Sequence, residues 1–101
     1  MRKAVKTIEE AKAVLKEHKA EIVQKYEVSE IGIFGSFSRS EQKKKSDIDI
    51  LVDFSEIPDL LTFLELERYL QKLLQKKVDL VDKQGIKPQL KDIIMKEIVF
   101  I

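Results

Sequence analysis

The fold of this chain is decided by the stretch Glu30-Ile-Gly-Ile-Phe-Gly-Ser-Phe-Ser-Arg39, which a lysine-rich loop joins to Ser46-Asp-Ile-Asp-Ile-Leu-Val-Asp-Phe54. The apolar run that stops at Gly35 predicts a buried strand followed by a tight turn. The second half predicts another strand from Ile48 to Phe54, in which side chains two positions apart lie on the same face. The turn and a pair of carboxylates therefore belong to one compact unit.

Helical and strand patterns alternate along the rest of the chain. Apolar residues at helical spacing predict a helix from about residue 3 to residue 25, with His18 and Lys19 as a candidate junction between two shorter helices. Residues 36–41 are expected to form one or two helical turns. Pro58 fits the first turn of a further helix, whose apolar face runs to Leu74.

Three later segments complete the pattern. Residues 77–81 predict a third strand, Pro88 opens a last helix to about Lys96, and residues 99–101 end as a strand. Strands that alternate with helices within 101 residues predict a small α/β fold on one sheet. We expect one domain that spans residues 1–101.

The composition is typical of a globular protein of the cell interior. Hydrophobic residues make up 44% and charged residues 37% of the chain, and cysteine is absent, which favours a reducing compartment. The sequence has neither an apolar run of roughly 18 residues nor a signal-peptide pattern. We therefore expect a cytoplasmic protein without a membrane partner. A net charge of +1, from 19 basic and 18 acidic residues, disfavours direct nucleic-acid binding.

Three acids are candidates for metal chemistry. Asp47 and Asp49 lie close enough to repel each other unless a cation lies between them, and hard oxygen ligands suit Mg²⁺ or Mn²⁺. A pair of ions could hold the attacking and leaving oxygens of an in-line displacement. The alternative is two solvated acids at the mouth of a loop. Asp79 joins them because a charge among apolar strand residues is costly unless paired or metal-bound; its alternative is an edge-strand acid in water.

The Gly35-Ser36 turn is a candidate phosphate site. Glycine takes backbone angles closed to other residues, which lets a phosphate approach the main chain. The N–H groups and the hydroxyl at Ser36 could hold a β- or γ-phosphate. Gly-Ser after a strand is otherwise a tight turn with a helix cap, and the acid pair that follows ten residues later favours the functional interpretation. Arg39 could reach a phosphate or lock the loop by pairing with an acid.

The other basic residues considered as candidates are a run of three lysines and the single histidine. Lys43, Lys44 and Lys45 precede the acid pair, and a solvated loop is their simplest interpretation. The alternative is that they steer a nucleotide triphosphate or an RNA-bearing partner toward the acids. His18 is the single histidine and lies far from the acids in sequence, so we expect it to be structural.

The order of the Gly-Ser turn, ten residues and Asp-x-Asp resembles the signature of the polymerase-β-like nucleotidyltransferase superfamily. It is most similar to the minimal members, the MNT proteins that pair with HEPN-domain partners, from the helix before Ile31 to the last residue. The resemblance implies a polymerase-β-like fold with a mixed sheet. It implies catalytic and metal-binding roles for Asp47, Asp49 and Asp79, and nucleotide-binding roles for Gly35, Ser36 and Arg39.

The resemblance also implies an enzyme that works on a partner. MNT proteins of this kind transfer AMP from ATP, with Mg²⁺, to a tyrosine hydroxyl of a HEPN ribonuclease toxin, and so act as antitoxins. Two alternatives stay open: an antitoxin that neutralises its HEPN partner by complex formation alone, and a transferase that acts on RNA or another protein. The family commonly has glycine at position 40, where this chain has Ser40.

Overall fold

A computed structural model describes residues 4–43 and 45–101. Within them the chain forms three α-helices, four β-strands and one 3₁₀ turn. In chain order these are α1 (Ile8–Tyr26), β1 (Val28–Phe34), β2 (Ile48–Phe54), α2 (Leu60–Leu74), β3 (Val78–Asp82), the 3₁₀ turn (Lys83–Gly85), α3 (Pro88–Glu97) and β4 (Val99–Phe100). The predicted small α/β fold is confirmed. No helix in the described part of the chain combines the length and the apolar character that crossing a membrane requires.

The strands form one mixed sheet in the order β3-β2-β1-β4. β2 runs parallel to β3, whereas β1 runs antiparallel to both β2 and β4. The end of β1 therefore meets the beginnings of β2 and β3 at the same edge of the sheet. This edge carries the Gly-Ser turn and the predicted acids, and we call it the acidic edge.

The core lies on one face of the sheet, under α1 and α2. Alternate residues of β2 are fully buried in it with the apolar stripes of both helices; they include Ile48, Ile50 and Val52. Because successive strand residues point to opposite faces, Asp49 lies on the other face. The same alternation buries Val78 and leaves its neighbour Asp79 exposed. Core packing thus determines the direction in which the acids point.

Two predicted helix features were wrong. α1 runs unbroken through His18, whose ring packs edge-on against Tyr69 of α2 with ring centroids 6.5 Å apart. Pro58 lies outside α2, because Asp59 is the N-cap and accepts a hydrogen bond of 2.7 Å from the Thr62 N–H. The predicted start of the first helix, at residue 3, falls outside the described residues, and α1 begins after its cap Thr7.

The helical turns predicted over residues 36–41 form as a series of hydrogen-bonded turns that do not continue into a regular helix. The Arg39 N–H donates to the Gly35 carbonyl at 3.3 Å and the Glu41 N–H to the Ser36 carbonyl at 2.9 Å. Ser40 then adopts a left-handed conformation with φ of 56°, which ends any helical path. A residue with a Cβ is strained there, and glycine would not be.

We therefore expect Ser40→Gly to stabilise the protein by about 1 kcal/mol, because it relieves left-handed strain. Chemical denaturation of the two proteins measures the difference. Lys45→Gly is a matched control in the same loop, since Lys45 is exposed and has no positive φ. The control should lose stability through the greater freedom of its unfolded chain. An equal loss in both variants would refute the strain at position 40.

Candidate active site

Three acids converge at the acidic edge. Asp49 of β2 is the direct partner of Asp79 on the parallel strand β3. Asp47 lies one residue before β2 and two before Asp49. Asp47 and Asp79 are exposed, whereas Asp49 is half-buried. The structure thus brings together the acids that the sequence singled out, and their roles as ligands remain a prediction.

The half-buried Asp49 carboxylate has a raised pKa. Its pKa is raised from 3.8 to about 6, first by burial and then by the negative charges of Asp79 and Asp47. The guanidinium of Arg39 acts in the opposite direction. At neutral pH the edge therefore concentrates negative charge that a bound cation would stabilise.

Gly35 fits against Asp49 without room for a side chain. Its φ of 76° is left-handed, and a Cβ at this position would overlap the Asp49 carboxylate. Phe34, the residue before it, is the register partner of Asp49 across β1 and β2. Position 35 must therefore lack a side chain so that the Asp49 carboxylate can occupy its place. A ligand that approaches the backbone would require the same.

The turn after Gly35 presents a row of unused donors. The N–H groups of Ser36, Phe37 and Ser38 have no acceptor among residues 4–43 and 45–101, and neither does the Ser36 hydroxyl. The Ser38 hydroxyl donates to the Gly35 carbonyl at 2.8 Å and so holds the turn closed. Successive N–H groups of this kind form a concavity suited to an anion.

Arg39 pairs with two acids, neither of which was identified from the sequence. It donates to Glu97 at 2.7 Å and to Glu41 at 3.1 Å. These contacts match the expectation that Arg39 could lock the loop. Glu97, at the end of α3, also accepts the Gly35 N–H at 2.9 Å. The one sequence signal for Glu97 is an acid in the last turn of a helix, where the helix dipole disfavours it.

The remaining basic candidates lie away from these contacts. Lys43 and Lys45 are exposed, and Lys44 lies outside the described residues. His18 packs on Tyr69, in agreement with a structural role. A cavity of about 730 Å³ beside α1 and α2 is lined by Tyr26, Tyr69 and several lysines, but by none of the three acids. At the acidic edge itself, Asp47 and Asp79 are exposed.

The donor set suits Mg²⁺ that is shared with a substrate. Among the described residues no three or more acids or histidines already enclose an ion position. Mg²⁺ is usually held by one or two carboxylates together with substrate phosphates and water, so a closed protein cage is not required. Asp47, Asp49 and Asp79 would hold the ion, and their mutual repulsion is the physical reason that they fit one.

Comparisons with known proteins agree with this geometry. The family profile described as nucleotidyltransferase domain matches residues 15–101. The protein adenylyltransferase MntA of Thermococcus cleftensis is 48% identical over 98 residues, which cover 97% of this chain and 99% of that protein.

Solved structures add two similarities. A crystal structure of a toxin–antitoxin with AMP-PNP has a TM-score of 0.71 and 26% identity, covering 84% of this chain and 70% of that chain. The complex of the tri-AMPylated HEPN toxin of Shewanella oneidensis with its MNT antitoxin has a TM-score of 0.66 and 23% identity, covering 89% and 70%. This second similarity concerns the fold.

The raised pKa of Asp49 predicts a pH-dependent stability of the metal-free protein. Because the folded pKa of about 6 lies above the ordinary 3.8, the protonated carboxyl favours folding at low pH, and that contribution is lost as the pH rises through about 6. In chelator at pH 7.5, Asp49→Asn should raise Tm by a few degrees. At pH 4 the two proteins should melt alike.

Thermal melts across this pH range test the expectation. The control is Asp53→Asn at the other end of β2, where the carboxylate accepts a hydrogen bond from Gln84 at 3.1 Å. The control should gain nothing at pH 7.5. A Tm for Asp49→Asn below that of the wild type at pH 7.5 would contradict the destabilising repulsion between Asp49 and the neighbouring acids.

Gly35→Ala should damage the site through Asp49. The new Cβ would displace the Asp49 carboxylate and occupy a left-handed backbone, so we expect a loss of stability of about 1–2 kcal/mol and a loss of Mg²⁺–nucleotide affinity of more than about tenfold. Gly85→Ala is the matched control, because a Cβ at Gly85 has no heavy atom within 4 Å. Melts and a titration with labelled ATP measure both quantities, and wild-type affinity in Gly35→Ala would refute the contact.

Proposed function

This chain belongs to the nucleotidyltransferase domain family, and on that basis we propose that it is a Mg²⁺-dependent protein adenylyltransferase. It would transfer AMP from ATP to a tyrosine hydroxyl of a HEPN ribonuclease toxin and act as the antitoxin of that partner in the cytoplasm. The observation that carries the proposal is the pairing of Asp49 with Asp79 beside the open N–H groups of the Gly-Ser turn.

The turn suits the triphosphate of ATP. The N–H groups of Ser36, Phe37 and Ser38 and the Ser36 hydroxyl point to no acceptor within the described residues, so they can donate to phosphate oxygens without breaking an existing bond. Asp49 lies directly against Gly35 at the start of this turn. Phosphates held by the turn would therefore lie next to the carboxylates.

The acids suit the transfer step. Asp79 would orient the acceptor hydroxyl and take its proton as the oxygen attacks the α-phosphorus. The bond between the α-phosphorus and the bridging oxygen then breaks, and pyrophosphate leaves. Mg²⁺ bound by Asp47, Asp49 and Asp79 would supply charge neutralisation for the phosphates during an in-line displacement, and Mn²⁺ could replace it.

The acceptor is proposed from the relatives. The Thermococcus cleftensis protein carries the name protein adenylyltransferase, and the Shewanella oneidensis toxin in its complex is a tri-AMPylated HEPN protein. The similar toxin–antitoxin structure contains AMP-PNP, an analogue of ATP. An exposed acidic edge is accessible to a hydroxyl on the surface of another protein. A HEPN toxin as partner is consistent with each of these facts.

Neutralisation by binding alone is the competing function. A binding module has no need for carboxylates that repel one another beside a phosphate-sized turn, and this arrangement costs stability without a cation. The burial and charge around Asp49 therefore favour the enzyme over the binding module.

Intact-mass spectrometry separates the two functions. When this chain is mixed with its HEPN partner, ATP and Mg²⁺, the partner should gain one or more AMP units, and its ribonuclease activity should stay low after this chain is removed. Asp47→Asn should reduce the rate of AMP addition by at least about a hundredfold, because it removes a charge that would hold the metal. Partner tyrosines replaced by phenylalanine identify the acceptor.

The binding module predicts the opposite pattern. Inhibition would then require equimolar protein, proceed without ATP and persist with Asp47→Asn, while the mass of the partner stays unchanged. That set of results would overturn the enzymatic proposal. AMP addition to RNA or to another protein, with an unmodified HEPN partner, would retain the transferase and reject the acceptor.

A further inference from the structure

We propose that Glu97 is a positioning residue that fixes the Gly-Ser turn and Arg39 in the geometry that binds nucleotide. This inference rests on the proposed function and deepens it. Glu97 lies in a different part of the chain from the acids and the turn. Its single carboxylate joins the end of α3 to the acidic edge.

The contacts of Glu97 are specific to each of its oxygens. Oε1 accepts the backbone N–H of Gly35 at 2.9 Å, and Oε2 accepts Nη1 of Arg39 at 2.7 Å. The Glu97 side chain is 21% exposed, whereas Glu41, the other partner of Arg39, is 63% exposed. Hydrogen bonds to a charged acceptor are stronger when water is partly excluded. The Glu97 bridge is therefore the stronger of the two restraints on Arg39.

The chain after Glu97 holds it in register with the turn. Ile98 packs over Gly32 so closely that a Cβ at Gly32 would lie 2.7 Å from the Ile98 side chain. The next residue, Val99, is the β4 partner of Ile33 on β1. The position of Glu97 relative to β1 is thus fixed independently of its contact with Gly35. Because the Glu97 carboxylate is fixed in this way, it can restrain the turn. A mobile carboxylate would move with the turn and would not restrain it.

The position is unfavourable for Glu97 in other respects. A negative charge in the last turn of α3 opposes the helix dipole. The Glu97 charge also adds to those that raise the pKa of Asp49, whereas Arg39 lowers it. Contacts with Gly35 and Arg39 are what offset these costs. The ion pair also keeps the Glu97 charge from acting in full on the acids of the metal site.

The contact with Glu97 determines which N–H groups of the turn remain for phosphate. Because Glu97 occupies the Gly35 N–H, the donors left for phosphate are those of Ser36, Phe37 and Ser38. Their directions depend on the peptide plane that Glu97 holds. Two nitrogens of Arg39 are engaged by carboxylates, so Arg39 acts on the nucleotide mainly by keeping the loop in place. Loss of Glu97 should therefore weaken nucleotide binding without removing any group that touches the nucleotide.

The test compares Glu97→Ala and Glu97→Gln with the control Glu41→Gln, which breaks only the exposed ion pair of Arg39. Affinity for Mg²⁺–AMP-PNP should fall about tenfold or more in Glu97→Ala. It should fall less in Glu97→Gln, whose amide oxygen can still accept the Gly35 N–H, and stay near wild type in the control. Thermal melts establish that each variant is folded.

Amide hydrogen exchange at Gly35 provides a readout that does not depend on the nucleotide. Exchange should be faster in Glu97→Ala than in wild type and remain slow in Glu97→Gln and in the control. Combining Glu97→Ala with Arg39→Ala should cost less affinity than the sum of the two single changes, since they act through one bridge.

The outcomes separate this inference from the function on which it rests. Unchanged affinity and unchanged Gly35 exchange in a folded Glu97→Ala protein would overturn the positioning role, even if AMP transfer occurs. Tighter nucleotide binding would overturn it as well, because Glu97 would then compete with phosphate for the Gly35 N–H. Weaker binding and faster exchange, with no AMP added to a partner by the wild-type protein, would uphold the role of Glu97 and reject the proposed function.

Discussion

The register of β2 between its two neighbours is the constraint on which the site depends. Asp49 is paired with Phe34 on the antiparallel side and with Asp79 on the parallel side. A slip of one residue would move Asp49 into the core and place Ile48 or Ile50 at the acidic edge, so burial of the isoleucines strongly disfavours it. The core under α1 and α2 thus fixes the position of the acids, although it contains none of them.

Negative charges outnumber positive charges around Asp49 at the acidic edge. The charges of Asp47, Asp79 and Glu97 act on Asp49, and within the described residues the cation that acts on it is Arg39. The protein tolerates this excess of negative charge at a cost in stability, which is common where a site awaits a cationic ligand. Arg39 offsets the charge of Glu97 through their ion pair, and we propose that a metal ion offsets the charges of the three acids.

Much of this arrangement could be predicted from the sequence, and the failures have physical reasons. The predicted β2 has the same bounds as the observed strand, because alternating acids and isoleucines leave one register possible. The role of Glu97 could not be predicted, since it depends on β4 pairing with β1 far along the chain. The left-handed conformation of Ser40 could not be predicted, because serine does not by itself indicate a positive φ. Pro58 was wrongly predicted in the first turn of α2, because Asp59 is the N-cap and the helix begins after it.

We infer that the three acids and the Gly-Ser turn bind metal and triphosphate as one unit. The most direct measurement is an electron paramagnetic resonance titration of Mn²⁺ with and without AMP-PNP. The account predicts that each ligand strengthens the binding of the other by the same factor, and that Asp79→Asn diminishes this coupling. Equal AMP-PNP affinity in chelator and in Mn²⁺ would contradict a shared site.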